Sequence, residues 1–358
     1  MNQAPNFAVI EKAVRRDGCP ERVPFYEHFV DDQIIEAIMG YDFATVDAAG
    51  LAGQLRLYQM KIEFYRQLGY DYFPFEIKPN FATVQALDLA DTAVYSKGMR
   101  EWTNEHSGPL QTRDDVENDA NWPEPDRLFN YELFNRICEL LPENMKIIGG
   151  ASGGPFEHAS FLMGTEVLFI NIYEDEELVA RLFDRIGAAL TAIAARLARH
   201  PRLGIYRFGD DLGYKNATML SPQLLRKYVF PWQKSVVEVA HRAGKPFILH
   251  SCGQLEAVMD DLIDTVGIDA KHSFEDVILP VTEAKKRWGD RLALLGGVDV
   301  DFLCRSTPRQ IKEHTREIMA ACSPNGGYAI GSGNTIANYI PVPNYLAMLG
   351  AAREFNAG

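Results

Sequence analysis

The chain has 358 residues, 47% of them hydrophobic and 24% charged, with a formal net charge of −13. That usage excludes disorder, and the acid excess excludes general nucleic-acid binding or attachment to anionic membranes, both of which run on positive charge. No apolar run reaches the roughly 18 residues of a membrane span, Met1–Ile10 lacks a signal-peptide pattern, and five scattered cysteines fit reduced thiols in a cytoplasmic protein.

In chain order, the first sixty or so residues read as helices. Ile34, Ile35 and Ile38 follow the helical period within Asp31–Met39, and Leu51–Leu68 continues it. From Tyr70, short β-type runs alternate with helical segments. The runs are Tyr70–Phe75, Lys146–Ile148, Gly204–Phe208, Pro246–Leu249, Ile268–Lys271, Leu292–Leu295 and Tyr328–Ile330. The stretch Tyr95–Thr112, with Trp102, Gly98 and Gly108, breaks the rhythm and is expected to form a hairpin near the mouth of the fold. Glu174–Arg199 is amphipathic. Ser221-Pro222 opens the next helix with a cap and a first-turn proline, and Pro231 is expected to kink it. Thr307 to Gln310 forms a capping-box start, and a last helix spans about Val342–Glu354.

Strands alternating with helices imply a parallel sheet with right-handed crossovers. Seven or eight such units point to a (β/α)8 TIM barrel over residues 70–358, with residues 1–69 as an N-terminal helical extension packed on it. The periodicity also fits an open doubly wound sheet. No Gly-x-Gly-x-x-Gly follows an early strand to support dinucleotide binding.

A barrel gathers the C-terminal ends of its strands at one mouth, where active sites form. The residues after the runs are polar. Glu76, His272, Glu275, Asp299, Ser332 and Asn334 are read as substrate contacts. The sharpest local signal is Leu249-His250-Ser251-Cys252-Gly253. Positions i and i+2 of a strand share a side, so the imidazole and thiol are set to project together as zinc ligands. A core histidine beside a small buried cysteine has the same spacing. Glu157, Asp210, Asp299 or a substrate thiol is left to complete such a site. Asp210-Asp211 fits an acid–base pair or a cation site, and equally one turn cap beside one solvated carboxylate. Glu157 is read as a third ligand or general acid, and Lys215 as an anchor for an anionic substrate.

These residues resemble the uroporphyrinogen decarboxylase superfamily. The resemblance is carried by Asp210-Asp211-x-Gly213, Met219-Leu220-Ser221-Pro222, Pro231, His250-x-Cys252-Gly253, Gly296-Gly297-Val298-Asp299, and Gly331-x-Gly333 with Pro341 and Asn344. It covers roughly Gly149 to the C-terminus and implies a (β/α)8 barrel with one of two activities. The decarboxylases of heme synthesis carry Arg-Gln-Ala-Gly-Arg-Tyr near their start, where this chain has Arg22-Val23-Pro24-Phe25-Tyr26-Glu27-His28-Phe29. Their pyrrole-binding aspartate finds its nearest equivalent in Glu76, and their tyrosine, serine and histidine correspond to Phe161, Asp210 and Ser332. Uroporphyrinogen's carboxylates call for a basic cleft, which an acidic chain does not offer.

The chain therefore resembles the cobalamin-dependent methyltransferase branch more closely. Zinc there is held by the His and Cys of His-x-Cys-Gly, here His250 and Cys252, and by a second Cys at the position of Ser332. The resemblance implies a methyltransferase working between a methoxy compound or thiol and a corrinoid, either on a partner protein or bound in the mouth, with zinc assisting. The alternative it implies is a decarboxylase of a carboxylated substrate, and the decarboxylase members imply a homodimer.

Overall fold

The computed structural model describes residues 4–82, 84, 86–104, 106–124 and 127–358; the side chains of 101–103, Trp102 among them, lie outside that description. Seven strands form one parallel sheet. In sheet order they are β1 (Tyr72–Pro74), β4 (Lys146–Gly149), β5 (Leu203–Gly209), β6 (Phe247–His250), β7 (Ala270–His272), β8 (Ala293–Leu295) and β9 (Tyr328–Ala329). All seven expected runs are strands, with ends shifted by at most two residues. They are apolar because helices cover the sheet outside and side chains fill it inside; β5 is buried at every position.

An eighth stave comes from an unexpected place. Phe25 bridges Ile330 in parallel, with Tyr26 N–H donating to Ile330 O at 2.8 Å and Ile330 N–H to Pro24 O at 2.9 Å. On its other side, Tyr72 Oη of β1 contacts the Glu27 backbone N and O at 2.7 and 2.6 Å. The stretch 24–27 thus stands between β9 and β1 and closes the curled sheet. It lies within residues 1–69, where helices are expected; around it, 7–15, 32–39 and 51–68 are helical.

The hairpin is also displaced. β2 (Ala86–Ala90) and β3 (Met99–Thr103) pair antiparallel around a turn at 91–98, earlier than Tyr95–Thr112. Gly98, at φ +104°, serves that turn, whereas Gly108 lies beyond it. Pro231 acts as expected. It lacks an N–H to bond back into the preceding turn, which opens into a π-turn over Leu225–Val229 before the helix Phe230–Arg242. None of the five cysteines is paired. Among the described residues, no helix is long and apolar enough to cross a membrane.

Candidate active site

Two glycine-bearing loops lock the mouth together. The chain leaves β5 into Asp210-Asp211-Leu212-Gly213 and β6 into Ser251-Cys252-Gly253. Gly213 and Gly253 meet backbone to backbone: a Cβ on Gly253 would lie 2.2 Å from the Gly213 carbonyl carbon. This approach lets Cys252 N–H donate to Asp211 Oδ1 at 2.9 Å and Gln254 N–H to Tyr214 O at 2.8 Å.

Asp211, His250 and Cys252 each present one ligand atom within 4.8 Å of the others. Cys252 Sγ stands 3.6 Å from His250 Nε2. Two corners of a tetrahedron with Zn–N of about 2.05 Å and Zn–S of about 2.3 Å are about 3.6 Å apart, so nitrogen and sulfur already hold the spacing a zinc ion requires. Burial pushes the His250 pKa down to about 4, against the opposing pull of Asp211, so the ring is neutral.

Its tautomer follows from its neighbours. His272 Nε2 faces the Ser332 carbonyl oxygen at 3.3 Å; a carbonyl only accepts, so that nitrogen carries the proton. His272 Nδ1 is then a lone pair and accepts from His250 Nδ1–H at 2.8 Å. The His250 lone pair is left on Nε2, on the side of Cys252. Metal-ligating histidines are oriented in this way through their other nitrogen. Sγ of Cys252 receives donors from Ser273 Oγ at 3.4 Å and Asn334 Nδ2 at 3.3 Å. Burial, and next Asp211, push the free thiol up to about 12; a bound cation would strip that proton. His28, His250 and His272 also cluster within 4.8 Å, but the last two spend Nδ1 on each other and His28 stacks on His250 at 3.9 Å. That trio offers no converging set of lone pairs.

A cavity of about 540 Å3 opens over the cluster, lined by His28, Glu76, Lys78, Phe81, Glu157, Phe161, Asp211 and His250 among others. Burial, and next Asp211, hold the Glu157 pKa well above the carboxylate range, so this group faces the cavity as a carboxylic acid. Glu76 is raised by burial against the pull of Arg207. Arg207 projects from β5 without solvent contact, sets Nε 3.0 Å from Glu76 Oε1, and donates from Nη1 to His28 O at 2.9 Å. His28 Nδ1 is buried without a hydrogen-bond partner among the described residues. Sequence reasoning missed His28 and Arg207. The available signal for His28 was its position after an extended Val23–Tyr26 run, and Pro24 obscured that run.

The expected site residues divide into three groups. Glu76, Glu157, Asp211 and His250 line the cavity, with Cys252, Asn334 and His272 packed beside them. Asp210, Ser332 and Asp299 are turned to structural work. Asp210 is fully buried and accepts the Phe156 and Glu157 N–H groups, at 3.1 and 2.9 Å, and Gln233 Nε2 at 2.8 Å. It caps the helix Pro155–Met163 from the end of the neighbouring strand, and burial raises its pKa to about 7. Of the adjacent pair, then, one carboxylate caps and only Asp211 faces the cavity. Ser332 binds buried Glu27 through both N–H (2.8 Å) and Oγ (2.5 Å), which removes it as a ligand. Asp299 caps Val300–Arg305 and accepts the Asp276 N–H at 2.9 Å. The third group lies elsewhere. Lys215 is exposed on the loop after Tyr214, outside the cavity lining, and Glu275 lines a separate small pocket with Lys271.

Comparison with known proteins adds a family to this geometry. The family model described as uroporphyrinogen decarboxylase (URO-D) matches residues 105–355. The uroporphyrinogen decarboxylase of Psychromonas ingrahamii is 24% identical over 260 residues, covering 69% of this chain and 70% of that protein. The methylcobamide:CoM methyltransferase MtbA of Methanosarcina acetivorans is 22% identical over 250 residues, covering 66% and 69%. A solved methyltransferase from Methanosarcina mazei shares the fold, with a TM-score of 0.71 over 99% of both chains at 16% identity.

Proposed function

The chain belongs to the uroporphyrinogen decarboxylase (URO-D) family, and from that premise we propose that it is a zinc-assisted methyltransferase, exchanging a methyl group between a small methoxy compound or thiol and a corrinoid on a partner protein. One observation carries the reading: His250 Nε2 and Cys252 Sγ stand 3.6 Å apart with Asp211 beside them. Sulfur, imidazole and carboxylate suit zinc, and three protein ligands leave a fourth position open to substrate. Zinc bound there supplies Lewis-acid chemistry to the substrate's oxygen or sulfur.

The chain's own groups divide the remaining work. The His272–Ser332 relay fixes the His250 ring, and Ser273 and Asn334 steady the sulfur. Glu157, whose acid form burial favours, is placed to hand its proton to a departing oxygen. Phe81 and Phe161 supply apolar wall and exclude water. The decarboxylase alternative is less well served. Lys78 is the one lysine or arginine among the described residues lining this cavity, while Glu76, Glu157 and Asp211 crowd it with carboxyl groups. A polycarboxylate substrate needs the reverse balance.

The test measures zinc content and methyl transfer together. Wild type is expected to hold about one zinc, Cys252→Ala less than a tenth of that, and wild type with reduced cobalamin and a methoxyarene to yield methylcobalamin absorbance. A metal-free wild type, or loss of carboxylates from a porphyrinogen with no cobalt methylation, overturns the reading.

A further inference from the structure

Beside the reaction cavity lies a second one, of about 640 Å3. The two share Glu76, Lys78 and Ser152, which stand at the neck where they adjoin. Apart from Ser152 and Asn338, every residue lining the side chamber falls within 29–100, outside the stretch that the family model matches.

One wall of the chamber is aromatic. Phe29, Tyr58 and Phe75 line it, and Tyr58 stands edge-on to Phe75 at 5.4 Å. The chamber's carboxylates are already engaged. Asp32 pairs with Lys61 at 2.7 Å, and Asp31 accepts Asn338 N–H at 3.0 Å and faces Arg100 at 3.5 Å. Asp91 accepts Asn338 Nδ2 at 2.7 Å, and Glu76 is held by Arg207 at 3.0 Å. Four polar groups have no hydrogen-bond or ion-pair partner among the described residues: the Lys78 ammonium, the Tyr58 and Ser152 hydroxyls and the Gln33 amide. Each can donate, and one is a cation. A cationic guest would meet no free carboxylate, and an uncharged one would leave the charge of Lys78 unmatched. A carboxylate on an apolar body meets both the unspent donors and the aromatic wall.

We propose that the two cavities form one bipartite substrate site, in which the side chamber takes the aromatic body of a carboxylate-bearing substrate and Lys78 holds the anion at the neck. The proposal rests on the methyl-transfer reading for what sits at the other end: the methyl-bearing group, over Asp211, His250 and Cys252. It makes the substrate an extended molecule rather than a one-carbon compound.

Calorimetric titration of the full chain with 2-methoxy-4-phenylbutanoate, which sets its carboxylate between the ring and the methoxy group, with its primary amide and with the corresponding amine tests this. The carboxylate is expected to bind at least tenfold more tightly than either analogue. Lys78→Gln is expected to erase that advantage while leaving amide binding unchanged, and Tyr58→Ala to weaken all three several-fold, with thermal melts showing both variants folded. Equal affinity for the three probes, or a carboxylate preference retained by folded Lys78→Gln, overturns the proposal. Binding is read here without corrinoid or turnover. A carboxylate preference with no cobalt methylation in the separate assay would defeat the methyl-transfer reading alone. Methylation from methanol-sized donors with indifferent probe binding would defeat the bipartite site alone.

Discussion

The mouth of this barrel has two halves, and they differ in how far apart in the chain their working parts lie. In the half after β5 and β6, Asp211, His250 and Cys252 come from two short loops that interlock through Gly213 and Gly253. In the other half, Arg207 of β5 reaches Glu76 across 131 positions and the His28 carbonyl across 179, and Ser332 reaches Glu27 across 305. The first half is written as motifs. The second exists only once the barrel has closed, because it is held by buried charges that must find each other.

The largest way to break that contrast is to remove the charge that holds the long-range half. Arg207 has no solvent contact, and Arg207→Met strands Glu76 in the interior. Unpairing a buried ion costs about 3–5 kcal/mol, read as a lower urea midpoint. Arg207→Met with Glu76→Leu is expected to recover most of the loss, since no lone charge remains. A single-variant cost under about 1 kcal/mol would mean that this ion pair does not hold the N-terminal stave in place.

The motif half breaks differently. Gly253→Ala places a methyl 2.2 Å from the Gly213 carbonyl carbon and forces alanine to φ +81°. Overpacking plus left-handed strain costs about 3 kcal/mol, and zinc occupancy is expected to fall more than tenfold as the loops part. Gly244→Ala is the control: its φ is +72° with nothing within 4 Å, so only the strain of about 1 kcal/mol applies and zinc stays. Equal losses from the two would show that the loops do not need their close contact.

A third test uses pH on the long-range half. Burial holds Glu27 up to about 8, against the donors of Ser332. Its pKa is higher folded than unfolded, so between about pH 4.3 and 8 the folded chain keeps a proton that the unfolded chain has lost. Stability from this group is full below that window and declines through it. His28, His250 and His272 have folded values below the ordinary one and act oppositely, their contribution rising with pH up to about 6.5. Between pH 6.5 and 8 the histidines no longer contribute, and Asp210, Glu157 and Lys271, which shift as well, cancel between wild type and Glu27→Gln. There, metal-free wild type is expected to lose about 2 kcal/mol more than Glu27→Gln does, measured by urea unfolding at the two pH values. Parallel profiles would mean that Glu27 is already ionised when folded.

Legibility in the sequence followed the same division. The seven strands were readable because a parallel strand buried on both faces leaves a near-continuous apolar run, and β5 does so over all its positions. His250 and Cys252 were readable because strand period alone sets them on one side. Which of Asp210 and Asp211 faces the cavity was not readable. That choice is made by the helix opening at Pro155 and by Gly154, where a Cβ would lie 2.4 Å from Asp210 Cγ. Ser332 stands where the resemblance expects a second ligand, yet its hydroxyl is committed to Glu27. The stave 24–27 escaped because its four residues include a proline and carry no period. Only the bridge to Ile330 and the hydroxyl of Tyr72 set them against the sheet.

The smallest effect separates polar residues that do chemistry from those that only finish the fold. Asp299 follows β8 at the same mouth as Asp211, and both read alike as acids after a strand. In the structure its two oxygens take the N–H groups of Phe302 at 3.0 Å and Asp276 at 2.9 Å, so its charge is spent on a helix start and a turn. Asp299→Ala is therefore expected to cost about 1 kcal/mol in urea, the ordinary worth of an N-cap, and to leave zinc content and methyl transfer unchanged. Asp211→Asn is its mirror: little stability lost, zinc affinity down by at least tenfold. If Asp299→Ala also emptied the metal site, the loop after β8 would have to reach the cluster, and the division between a motif half that binds and a long-range half that supports would fail where the two meet.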